Sequence, residues 1–263
     1  MTESAAAALA RLYDLDLAED PGDLDLYLAL AARTGGPVLE LAVGTGRLAV
    51  PLAAAGFEVT GVDTDPAMLA RARLRADEAG IAVGRRVRLV DGDARTVRLA
   101  EAGAFGLAFI GLNSIFLVGG RSGRAGQAAA VATLAAHLAP GGLAVLDAWL
   151  PDADDLSRYD GRLVLEWIRE DPQTGRTVTK TGSAAYDPAT GTVRLTTIFE
   201  EGLPGEPAAR WVRTDDLRLV APDGLAGFAE AAGLEVELLA GGYDLDPLAP
   251  GAERVVLLAR RPH

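Results

Sequence analysis

Apolar positions along this chain follow two rhythms. Short, mostly apolar runs occur at Val38–Leu41, Val59–Val62, Val87–Val90, Phe105–Ile110 and Leu143–Leu146. Each is short enough for a strand and apolar enough to be covered on both faces. Between them, apolar residues recur every three or four positions, as in Leu24, Tyr27, Leu28 and Ala31, or Met68, Leu69, Ala72 and Ala76. That spacing predicts amphipathic helices. Further helices are expected over Ala5–Leu12, Leu48–Ala55, Gln127–Leu138 and Asp223–Ala232, with the Gln127 helix stopped by Pro140-Gly141-Gly142. Two last strands are expected at Leu234–Leu239 and Arg254–Ala259. Strands and helices alternating in this way predict a parallel sheet with helices on both faces.

From Arg162 to Leu219 the rhythm changes to period two, rich in Val, Thr, Arg and Trp. Two near-identical turns, Asp171-Pro172-Gln173-Thr174-Gly175 and Asp187-Pro188-Ala189-Thr190-Gly191, join successive runs. Proline early in a turn and glycine where positive φ is wanted mark β-hairpin connections. Three or four antiparallel strands are therefore expected as an insertion over residues 151–219. Residues 1–150 and 220–263 would form the main α/β domain around it.

Composition narrows the partners. The 263 residues carry a net charge of −12, which disfavours nucleic acid and anionic membrane surfaces. With no cysteine, disulfides, thiolate metal sites and cysteine nucleophiles are excluded, and no metal site is expected. The start, Met1-Thr2-Glu3-Ser4 before four alanines, lacks the basic region of a signal peptide. No apolar run reaches the length of a membrane span. These features predict a cytoplasmic protein with a small-molecule partner, as monomer or homodimer.

The chemistry concentrates at the strand ends. Val38 to Val43 runs into Gly44-Thr45-Gly46, a sharp strand-to-helix turn that lets a ligand approach the backbone. Asp63 follows about 20 residues later, as a ribose-binding acid would. Gly44 to Ala49 alone also satisfies the fingerprint of a dinucleotide site. Three features separate the alternatives: Glu40 inside the first strand, Asp93 after the third, and the Pro140-Gly141-Gly142 turn. With them the chain resembles the class I S-adenosylmethionine (SAM)-dependent methyltransferases, matching their E/D-x-x-x-G-x-G motif. Its inserted strands, Tyr186-Asp187-Pro188 and Gly242-Tyr243-Asp244 are similar to the small-molecule branch that includes sugar, amino-sugar and glycine N-methyltransferases. The resemblance implies an α/β, Rossmann-like, seven-stranded, mostly parallel sheet with an antiparallel last strand and a β insertion forming part of the acceptor site.

It also implies roles for residues. Glu40 would hold the methionine ammonium, Gly44 and Gly46 would close over methionine and ribose, and Asp63, with Thr64 beside it, would take the ribose hydroxyls. Asp93 and the Ala94 N–H would bind adenine, and Met68 would pack on its face or in the core. The backbone of Gly111 and Leu112 would face the SAM amino group, and Tyr13 the methyl group. Asp65 suits an N-cap to the helix at Pro66.

Catalytic candidates are Tyr13, Asn113 and Tyr243, with Asp147 and Glu166 as further acid–base groups. Relatives often carry a histidine four residues after the Asn113 position, where this chain has Leu117. Only His137 and His263 exist, at a helix end and the chain end. Methyl transfer by direct displacement, without a histidine base and leaving S-adenosylhomocysteine (SAH), is the expected reaction. Two alternatives stand beside it: an NAD(P)-dependent oxidoreductase on the same glycine loop, and a noncatalytic SAM or SAH binder. Trp149, Trp167 and Trp211 would wall an acceptor pocket or pack the inserted lobe.

Overall fold

A computed structural model describes residues 3–19 and 21–263, apart from the side chain of Arg121. Met1 and Thr2, which open the N-terminal stretch considered above, lie outside the described residues. Helices α1 (Ala5–Asp16) and α2 (Leu24–Thr34) lead in. Then come β1 (Val38–Leu41), α3 (Ala49–Ala54), β2 (Val59–Asp63), α4 (Pro66–Glu78), α5 (Ile81–Arg86), β3 (Val87–Asp91) and β4 (Phe105–Ile110). After these follow α6 (Ser114–Gly119), a 3₁₀ turn at Gly120–Ser122, α7 (Gly123–His137) and β5 (Leu138–Trp149). Helix α8 (Ala153–Arg158) precedes β6 (Asp160–Asp171), β7 (Arg176–Asp187), β8 (Thr192–Gly202) and β9 (Ala209–Arg218). The chain returns through α9 (Pro222–Ala231), β10 (Glu235–Ala240) and β11 (Arg254–Arg260).

Seven strands form one sheet in the order β10-β11-β5-β4-β1-β2-β3, and β6-β7-β8-β9 form a second. The first sheet is parallel except at β11, which runs antiparallel to both β5 and β10. This is the α/β Rossmann-like sheet with an antiparallel β insertion that the apolar rhythm and the resemblance predict. Strands β1 and β4 are buried at every position, as central parallel strands must be. Both hairpin turns form as expected: Gly175 and Gly191 take φ of 65° and 64°, and each donates its N–H to the aspartate carbonyl four residues earlier.

The structure differs at several boundaries. Helix α7 ends at His137, and β5 starts at Leu138 and continues to Trp149, well beyond Leu143–Leu146. The Pro140-Gly141-Gly142 stretch lies inside that strand, at a register shift against β4. Gly142 fits because a Cβ there would come within 2.8 Å of the Phe105 carbonyl. Helices α5, α6 and α8, six residues each, escape the periodicity because they are under two turns long.

Apolar side chains pack on both faces of the main sheet. A third cluster joins α1 to the inserted sheet, with Leu12 and Leu15 against Val178 and Phe199. Trp167 and Trp211 flank this cluster, and Trp149 lies against Tyr159 with ring centroids 5.9 Å apart. The tryptophans therefore pack the lobe and its base.

Candidate active site

Loops at the carboxyl ends of β1 to β4 surround a cavity of about 480 Å³. Ligands of open α/β sheets bind at these ends. Ala42 and Gly44 line it after β1, Asp63, Thr64 and Asp65 after β2, and Gly92 to Arg95 after β3. Ser114, Leu117 and Val118 of α6 form another wall. Tyr13 of α1 and Arg213 and Asp215 of β9 complete it from outside the main sheet.

The two glycines of the turn, both expected to close over a ligand, do different things, and only Gly44 lines the cavity. Gly44 (φ 54°) has open space where a Cβ would be. Gly46 (φ 74°) instead lets the loop pack on α4, where a Cβ would lie 3.1 Å from that of Ala72. Asp63 braces the turn: its Oδ2 accepts the Gly44 N–H at 2.8 Å and its Oδ1 the Asp65 N–H at 2.9 Å. Burial raises the Asp63 pKa, while these backbone donors oppose the rise. Each oxygen retains a lone pair for a further donor. Asp65 caps α4 by accepting the Ala67 N–H at 2.8 Å.

Glu40 lies in the middle of β1 and is buried. Its Oε2 has no hydrogen-bond partner among the described residues, and neither has the buried Thr45 Oγ1 of the glycine turn. Burial pushes the Glu40 carboxyl up to about 8, against the pull of Arg47. Arg47 cannot pair with it directly, because its guanidinium is held by the buried Asp23 at 2.6 and 2.5 Å. An orphaned carboxylate oxygen in such a place calls for a donor from outside the chain.

Asp93 is turned toward its own neighbour. Its oxygens accept the Arg95 backbone N–H at 2.8 Å and the Arg95 guanidinium at 2.5 to 3.0 Å, and the arginine lowers its pKa.

Of the residues singled out from sequence, Tyr13, Gly44, Asp63, Thr64, Met68, Asp93 and Ala94 share the cavity wall. Glu40, Gly46, Gly111, Leu112, Asn113 and Tyr243 are not among the residues that line it. Asn113 accepts the Trp149 N–H on its Oδ1 at 2.6 Å, and the Tyr243 hydroxyl donates to Asp147 at 3.2 Å. Glu166 pairs with Lys180 at 2.7 Å. His137 is fully buried between the Leu99 N–H and the Thr133 carbonyl. Sequence reasoning missed Arg213, Asp215 and the Arg47–Asp23 pair. Arg213 and Asp215 are two apart on a strand and so share a face, a signal that becomes readable only once β9 is placed.

Comparison with known proteins follows this geometry. Residues 38–142 match the family model described as a methyltransferase domain. The chain is similar to the cypemycin N-terminal methyltransferase of Streptomyces sp, 30% identical over 237 residues, which is 86% of this chain and 84% of that protein. Among solved structures it is similar to the CcbJ methyltransferase from Streptomyces caelestis, with a TM-score of 0.76 and 25% identity over 93% of this chain and 97% of that one. It is also similar to the glycopeptide N-methyltransferase MtfA complexed with SAM, with a TM-score of 0.57 and 26% identity over 92% and 94% of the two chains.

Proposed function

Because this chain belongs to the class I SAM-dependent methyltransferases and uses SAM as its methyl donor, we propose that it methylates an amine nitrogen of a small molecule. The observation that carries the amine reading is the likeness, over 86% of the chain, to a relative named for methylating a peptide N-terminus. The likeness to a glycopeptide N-methyltransferase supports it. A dinucleotide oxidoreductase is not favoured by either comparison. A cytoplasmic setting belongs to the same proposal, SAM being an intracellular metabolite.

The residues fit SAM. The unpartnered Glu40 Oε2 suits an ammonium, the free lone pairs of Asp63 suit vicinal hydroxyls, and the open face of Gly44 leaves room for a ligand. When bound, SAM supplies an electrophilic methyl group on a sulfonium, open to direct displacement. Glu40 would hold the methionine ammonium, with the backbone at Gly111 and Leu112 on the other side of that group. Asp63 with Thr64 would orient the ribose, and Asp93, Ala94 and Met68 the adenine. Tyr13 would cover the reacting end.

The acceptor would enter against the inserted sheet, where Arg213 and Asp215 meet Leu117 across the cavity. An alkylammonium must shed a proton before its nitrogen can attack. No histidine lines the cavity among the described residues, and Leu117 offers no proton acceptor. Asp215, held by Arg213 at 2.7 Å, is a carboxylate on this wall; it would receive the ammonium by a charge-assisted hydrogen bond and accept the proton that the nitrogen sheds as it attacks. Alignment of nitrogen, methyl and sulfur would then supply most of the acceleration.

The test is an acceptor panel of short peptides with free N-termini, amino sugars, and the N-acetylated and hydroxyl counterparts of each. SAH release and a one-methyl mass gain are the readouts. Turnover should be confined to the free amines. Methylation of the acetylated or hydroxyl compounds would overturn the amine assignment.

A further inference from the structure

Asp147 accepts hydrogen bonds from four different residues, yet it does not line the cavity. It sits near the carboxyl end of β5, paired in register with Val256 of β11, and is fully buried. Oδ2 accepts the Leu112 N–H at 2.9 Å and the Tyr27 hydroxyl at 2.6 Å. Oδ1 accepts the Arg254 guanidinium at 2.7 Å and the Tyr243 hydroxyl at 3.2 Å. Four donors thus converge from α2, the loop after β4, the segment after β10, and β11. Arg254 in turn lies over the Tyr243 ring, 4.9 Å from its centroid.

What this carboxylate supports is an uncommon piece of backbone. Leu112 and Asn113 both take positive φ, 46° and 64°, although neither is glycine. This region is strained for leucine, though asparagine tolerates it better, and the pair persists only where surrounding contacts hold it. Those contacts trace to the end of β5. The Leu112 N–H goes to the Asp147 side chain, the Asn113 N–H to the Asp147 carbonyl at 3.3 Å, and the Asn113 Oδ1 to the Trp149 N–H. Gly111 completes the fit, since a Cβ there would come within 3.3 Å of the Tyr27 hydroxyl. Burying a carboxylate is costly, and a single backbone hydrogen bond does not require one. With both oxygens doubly occupied and no access to the cavity, Asp147 is not placed to shuttle a proton.

We propose that Asp147 is a positioning residue: its carboxylate fixes the left-handed turn at Leu112–Asn113, and through that turn the grip on the amino-acid end of SAM. This rests on the reading that the backbone at Gly111 and Leu112 faces the SAM amino group.

The test compares two ligands by calorimetry on the purified protein. SAH carries the amino-acid end, and 5′-methylthioadenosine lacks it. In Asp147→Ala the SAH affinity should fall on the order of tenfold or more, with methylthioadenosine unchanged and Asp147→Asn recovering most of the loss. Tyr27→Phe, which removes one donor and leaves the carboxylate, should shift SAH in the same direction by less, and it keeps the question answerable if the alanine variant does not fold. Equal losses for both ligands would indicate a purely structural role and overturn the proposal. So would folded variants that bind SAH as the wild type does. If the wild type itself binds the two ligands equally, the reading of the loop fails and the proposal with it.

Discussion

Glu40 shows how one buried atom can be both a cost and a recognition device. Burial pushes this carboxyl from its ordinary value of 4.5 up to about 8. An acid whose pKa is higher folded than unfolded adds stability that is fully present below about 4.5 and is lost as pH rises through about 8. The stability of the cofactor-free protein should decline across that window, and Glu40→Gln should flatten the decline, as urea titrations at several pH values would reveal. Binding an ammonium beside Glu40 should reverse the shift. SAH binding near neutral pH is then expected to release a proton, visible as a dependence of the calorimetric heat on buffer, and the Gln variant should lack that component. Identical proton counts in the two proteins would remove Glu40 from the ammonium site. At this scale the sequence was informative wherever a residue type has few uses in its position, as for Glu40 in an apolar strand or Asp63 after one. It was uninformative about partners distant in the chain. Nothing in the run around Tyr243 says that its hydroxyl is turned toward Asp147 (96 residues away) rather than the cavity.

Between elements, glycines set how closely β1, β2 and the glycine turn approach. Gly61 of β2 faces Val43, and a Cβ at 61 would lie 2.7 to 3.0 Å from three Val43 side-chain atoms. A β-branched side chain has little rotamer freedom with which to yield. Gly61→Ala should therefore cost about 1–3 kcal/mol by overpacking and weaken SAH binding by displacing the turn. Adding Val43→Ala should restore part of both losses. A double variant no better than the single one would show that the contact does not link sheet and turn. Long apolar rhythms made the sheet and its larger helices legible from sequence. The glycines at 61 and 142 were not, because their reason lies in a neighbouring element. The short helices α5, α6 and α8 were missed because under two turns is too little to show a repeat, although α6 supplies a wall of the cavity.

Across the whole molecule, α1 is the link between the sheet and the inserted lobe. Asp14 holds Arg71 and Arg75 of α4, each at 2.6 Å. Asp16 holds Lys180 of β7 at 2.6 Å and accepts the Trp167 indole N–H at 2.9 Å. Arg11 is buried between Asp171 and Glu201, each 2% exposed. Arg11→Met would strand those two carboxylates and should cost about 3–5 kcal/mol in chemical denaturation. Because Tyr13, two residues along the same helix, lines the cavity, SAH affinity should fall as well. Unchanged stability would mean the clamp is replaceable by packing alone. The helix at Ala5–Leu12 was readable from sequence, but its partners, 57 to 190 residues distant, were not. The same helix, through Asp16, also ties down the chain's lysine. This single lysine is ion-paired to Asp16 and Glu166 with its side chain 13% exposed. If the acceptor is an amine, as proposed, it meets no free lysine of this chain as a rival for the methyl group.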